Sequence, residues 1–156
     1  MKISISKLLK HQFVDEDFAR VDIFLKVCVL TSGDLGRQAY EEMYSGLFPN
    51  RKKKVIKGRL KEFEKLSNLY GIGKFDLSEH PIVLTRGWKI WDGAHRLSIA
   101  IANEEKDVII NRNSNISFRV KPNQTISRYK KFLSSESLSM LERCMDEILT
   151  RYEANI

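Results

Sequence analysis

The sequence predicts an α/β (α+β) fold, a small mixed sheet with helices packed around it, and three features predict it. An apolar run at 21–30, VDIFLKVCVL, alternates as a half-buried strand would. PIVLT and WKIW read as two strands of a hairpin joined at an Arg-Gly turn. Apolar stripes at helical spacing occupy 37–47, 58–70 and 138–152. At 156 residues the chain has the size of one domain with a real core.

In order, the run at 21–30 places Val21, Ile23, Leu25, Val27 and Val29 on one face of a strand, with Phe24 and Cys28 on the other. TSGDLG breaks it. Tyr40, Met43, Tyr44 and Leu47 then share a helical face, and FPN ends that helix. The next helix is expected from about Gly58, with Leu60, Phe63, Leu66 or Ser67, and Tyr70 as its stripe, until Gly71 and Gly73 stop it. After the hairpin, Leu97, Ile99, Ala100 and Ile101 make a helix apolar almost all round, which should be buried. DVIIN and ISFRV read as two more strands, and the tail from about Thr125 as helical. Leu138, Leu141, Met145, Ile148, Leu149 and Tyr152 give the last helix one apolar face to dock on the rest.

Two cysteines, Cys28 and Cys144, stand far apart without a CxxC partner, which argues against a disulfide framework or a structural metal. MKISISKLLK lacks the apolar run of a signal peptide, and no segment is long enough to span a bilayer, so a cytoplasmic location is expected. The net charge of +7 has one source: residues 51–61, RKKKVIKGRLK, hold seven Lys or Arg and no acid, and elsewhere the charges balance. Such a segment faces an anionic partner or is simply a solvated loop and first helical turn.

The stretch KIWDGAHRLSIAIA, 89–102, carries the densest chemistry. Gly93 can take a backbone conformation closed to other residues and so turn strand sharply into helix. The first N–H groups of that helix lack intrahelical partners and carry the positive end of its dipole, a seat for phosphate. Arg96 stands in the first turn, where a cation opposes the dipole unless an anion meets it. Asp92 is placed for a metal ion, a hydroxyl or a cap, and His95 for donating to a phosphate or moving a proton. The alternative is structural: Asp92 a cap, His95 a half-buried ring, and Arg96 paired with Glu104 or Glu105.

IWDGAHRLSIAIA resembles the signature turn of the ParB/sulfiredoxin superfamily, in the DG-x-HR-L form. The resemblance covers about 20–120, tightest at 81–102, and implies a ParB/sulfiredoxin-like core there, with 125–156 a helical extension packed on it and the whole chain, 1–156, one domain. It assigns Gly93, Ala94, His95 and Arg96 to nucleotide phosphates, with Asp92 near the metal or acceptor. Sulfiredoxin keeps a cysteine where this chain has Ala94, which argues against that activity. Partition-type ParB proteins have a Gly-Glu-Arg-Arg turn and longer downstream domains, which this chain lacks. The branch departing least resembles the free serine kinase and small DG-x-HR proteins of bacterial surface-polysaccharide pathways. It implies a kinase using ATP or ADP with magnesium (Mg2+), transferring phosphate to a hydroxyl on a small molecule or glycan precursor.

Such a transfer needs phosphate donors, a metal ligand and a base. Asp92 is the metal candidate. The base is expected in AYEEMY, with Glu41 preferred over Glu42 and Asp22 a second candidate. Arg37 and Arg51 could complete an anionic cleft, and Lys52, Lys53 and Lys54 could hold a larger anionic acceptor. Trp91 is placed to stack on a base or sugar, whereas Trp88 reads as packing. The competing class is a non-catalytic nucleotide- or nucleic-acid-binding module.

Overall fold

A computed structural model describes residues 1–117 and 124–155. The fold is α+β. A four-stranded mixed sheet has the order β1 (Lys2–Ser4), β6 (Asp107–Arg112), β4 (Ile82–Leu84), β5 (Ile90–Asp92). β1 pairs antiparallel with β6, β6 parallel with β4, and β4 antiparallel with β5. Between β1 and the helical body lie α1 (Ile5–Lys10) and a small hairpin of β2 (Phe13–Val14) and β3 (Asp17–Phe18). The sheet therefore takes in the first residues of the chain, ahead of the core boundary expected at 20.

The expected hairpin is present, with β4 and β5 joined through Thr85–Lys89 rather than a two-residue turn. The strand expected at 21–30 is not. Val21–Thr31 is a helix, α2, and every residue from Val21 to Val29 is buried. The correction has a plain cause: a run apolar at almost every position has no exposed face, so its period is unreadable and alternation matches by default. The two charges inside the run did hold the answer. Asp22 and Lys26, four apart, can meet only on a helix, and they do, at 3.2 Å.

α2 lies among α3 (Gly33–Leu47), α5 (Ala94–Ala102) and α7 (Ser135–Arg151). α3 begins four residues before the expected 37, with Tyr40 and Met43 buried as its stripe implied. α4 (Lys53–Gly71) begins five before Gly58, so Lys53 and Lys54 form its first turn; it buries Ile56, Leu60 and Phe63. α5 buries Leu97 to Ile101. The run ISFRV lies mostly outside the described residues, and its first two, Ile116 and Ser117, are in no strand. After the short α6 (Ile126–Tyr129), Ser134 caps α7 by accepting from the Ser137 N–H at 3.2 Å. Met140, Leu141, Ile148 and Leu149 of α7 join α2 in one core cluster. No helix among the described residues is long and apolar enough to cross a membrane.

Candidate functional site

Gly93 caps α5 with φ 112° and ψ 19°, left-handed backbone that favours glycine. A Cβ there would also stand 3.1 Å from Ile82 Cγ1, so strand and helix pack too closely for a side chain. This turn forms one wall of an open pocket of about 380 Å³. Trp91, Asp92, Gly93, Ala94, His95 and Arg96 line that wall; Leu66, Phe75 and His80 face them, and Arg20 reaches in from the start of α2. Trp91, 53% exposed, stands at the rim, and Phe75 stacks on His80 with ring centroids 4.8 Å apart.

Beneath the pocket is a buried ionic cluster. Arg20 donates from Nε to Asp22 Oδ1 at 2.9 Å and from a terminal nitrogen to Oδ2 at 2.8 Å, a bidentate pair, and a further N–H donates to the Ile90 carbonyl at 2.9 Å. Lys26 Nζ donates to Asp22 Oδ2 and to the Tyr44 hydroxyl, both at 3.2 Å. The three charged side chains are 16%, 5% and 6% exposed. Burial works to raise the Asp22 pKa, but Lys26 and Arg20 overcome it and hold the carboxyl well below the usual range. Asp22 is thus ionised and engaged on both oxygens, which removes it as a base. Two cations share one carboxylate, leaving one net positive charge in the cluster, and Arg20 is among the residues that line the pocket.

Arg96 has its needs met within the protein. It donates to the His80 and Pro81 carbonyls at 3.1 and 2.8 Å and pairs with Asp92 at 3.0 Å, not with Glu104 or Glu105. His95 is exposed at the rim, its ring 5.0 Å from Phe63. Desolvation by the surrounding protein, with the charge of Lys26 second, lowers its pKa to about 4. The imidazole is neutral at pH 7.

Several expected participants lie elsewhere. Glu41 lines a separate groove of about 290 Å³ with Glu42, Ser45, Lys53, Ile56 and Lys57, between α3 and α4. The base expected there is not brought to the turn. Glu42 accepts from the Ser134 N–H and hydroxyl, at 3.4 and 3.2 Å, and so helps fix the start of α7. Arg37 is held by Glu64 and Asp34, both at 3.0 Å, and Arg51 lies 3.9 Å from the Phe48 ring. Neither lines the pocket, and neither do Lys52, Lys53 and Lys54. Trp88 stacks on His11 at 5.1 Å with the Arg112 guanidinium 4.8 Å from its ring.

Among the described residues, Asp92 is the only carboxylate lining the pocket, and Arg96 occupies it. Magnesium bound by a protein takes one or two carboxylates together with substrate phosphates. No group of three His, Cys, Asp or Glu able to hold a metal occurs among the described residues. A single paired carboxylate beside two guanidinium groups does not fit a protein-held magnesium ion.

Arg20, Phe75 and His80 complete the pocket without having been singled out in the sequence. Only Arg20 left a signal: it opens the segment in which Asp22 and Lys26 interrupt an apolar run, and buried charges require partners. Comparison with family models, with curated proteins and with solved structures finds no match to this chain.

Proposed function

We propose that the pocket at Gly93 binds the phosphates of a nucleotide, ATP or ADP. The observation that carries this reading is the buried Arg20–Asp22–Lys26 cluster, whose uncompensated positive charge opens onto the N-terminus of α5. A buried ion cluster is a costly way to stabilise a fold, since apolar residues of similar volume serve as well or better. It makes sense where a fixed charge has work to do. Main-chain N–H groups of Ala94, His95 and Arg96 would donate to phosphate oxygens, and neutral His95 would donate one further hydrogen bond. Trp91 at the rim suits a base or sugar ring. The DG-x-HR turn, with its likeness to ParB/sulfiredoxin proteins, supports the same ligand.

Phosphate transfer to a hydroxyl is the reaction this reading leads to. Asp92 takes the role of base in place of Glu41, because it is the carboxylate lining the pocket and is 68% exposed. Its pairing with Arg96 would have to open for it to take a proton. No step is assigned to magnesium.

Calorimetric titration of ATP and ADP into wild type and His95→Glu tests the binding. An acid in the first turn suits the helix dipole, so the variant keeps its fold while repelling phosphate. The expected result is saturable binding by wild type and at least tenfold weaker binding by His95→Glu, with its thermal midpoint unchanged or raised. Absence of binding to either nucleotide, or equal binding by both proteins, overturns the reading.

A further inference from the structure

A second anionic partner is implied by a surface away from the pocket. The chain from Phe48 to Lys61 has seven cationic side chains and no acid, and 125–134, with Arg128, Lys130 and Lys131, has none either. The fold brings these two segments together. Phe132 packs directly on Gly46, where a Cβ would stand 2.2 Å from its ring, and so seats 128–132 against the last turn of α3. From that turn the chain passes through Phe48 into α4.

On α4 the basic residues are ordered. Lys53, Lys57 and Lys61 are all exposed and recur every fourth residue, a row with a rise of about 6 Å per step. Among the described residues none of the three is ion-paired. The nearby Glu41 and Glu42 line the groove beside Lys53 and Lys57, and Glu42 is already engaged by Ser134. Two exposed rings lie on the adjoining segments: Phe48, 41% exposed, with the Arg51 guanidinium 3.9 Å from its ring centre and the Tyr44 ring stacked at 6.3 Å, and Phe132, 36% exposed.

The geometry points to a binding surface for single-stranded nucleic acid, its phosphates along Lys53, Lys57 and Lys61 and a base stacked at Phe48 and Arg51. Evenly spaced cations track a phosphodiester backbone, and exposed rings beside them offer what only unpaired bases can use. A lipid surface suits the site less well, because the apolar stripe of α4, Ile56, Leu60 and Phe63, is spent on the core, and the exposed Val55, Phe48 and Phe132 come from separate segments rather than one apolar helix face. The surface does not depend on the nucleotide pocket, which shares no residue with it.

Fluorescence anisotropy with labelled oligo-U and oligo-dT of about 15 nucleotides, across a salt series, tests this on the whole chain. Wild type should bind with log affinity falling against log salt at a slope of about −3, as for four or five phosphates on a single strand. Lys53→Gln/Lys57→Gln/Lys61→Gln, all at exposed positions, should weaken binding more than tenfold and flatten the slope by about 2. Phe48→Ala should weaken it roughly tenfold with the slope kept. No binding at low salt, or a triple variant indistinguishable from wild type, overturns the assignment. So does tighter binding to the matching duplex, or binding to phosphatidylserine vesicles in place of the oligonucleotides.

Discussion

Asp22 holds two cations in place, and its position shows how a single residue joins the core to the pocket above it. Both oxygens are committed, one to Arg20 and the other shared by Arg20 and Lys26, in a place 3% exposed to solvent. Replacing it with Asn leaves two buried positive charges facing each other. The expected cost is about 3–5 kcal/mol of unfolding free energy, measured by urea denaturation, because breaking a buried ion cluster is dearer than never having built it. The triple replacement Arg20→Met/Asp22→Leu/Lys26→Met removes all three charges, so it should recover most of that loss. It should nonetheless show no nucleotide binding, since the charge on the pocket wall is gone. Equal stability of Asp22→Asn and wild type would mean that the cluster does not exist as described.

At the scale of elements, α2 and α3 approach so closely that Gly36 has no room for a side chain: a Cβ would stand 2.1 Å from the Cys28 carbonyl oxygen. Gly58, on α4, has nothing within 4 Å. Alanine improves helix propensity by about 1 kcal/mol at either site, so packing alone decides the sign. Gly58→Ala is expected to raise stability by about 0.5–1 kcal/mol and Gly36→Ala to lower it by about 1–3 kcal/mol, both read from urea unfolding. The same contrast explains what could be read from sequence. The hairpin at 82–92 and α5 were legible because alternation, a glycine and an apolar run follow one another with clear breaks. α2 was not, because burial on all sides erased the polar face that reports a period. The turn 91–96 stood out as a site for its chemistry alone. Its partners come from two other segments, Arg20 from the start of α2 and Phe75 and His80 from the stretch before β4, and only tertiary packing unites them. Glu41 lies away from the turn for the reciprocal reason: its helix is legible in the sequence, but the groove it lines depends on where α4 lies.

Over the whole molecule, α7 decides whether α2 can exist as a helix buried on every side. Met140, Leu141, Ile148 and Leu149 close the side of the core that α3 and α5 leave open, and Cys144 Sγ lies 3.8 Å from the Phe24 carbonyl oxygen. Tyr152 ties the end of α7 back to the sheet side by donating to the Glu105 carbonyl at 2.7 Å. Each large apolar side chain uncovered costs about 1.5–3 kcal/mol, so losing these four together with the faces they cover on α2 removes on the order of 10 kcal/mol. That is about the total stability of a domain this size. A chain ending at Leu133 is therefore expected to lose its cooperative unfolding transition in urea and, with α2 no longer fixed, the nucleotide binding proposed for the Gly93 pocket. Every residue lining the Gly93 pocket is still present in that shorter chain, which makes the comparison decisive. If the shortened protein unfolds cooperatively and binds nucleotide like the full chain, α2 is held by α3 and α5 alone, and α7 is an accessory to the fold rather than part of its core.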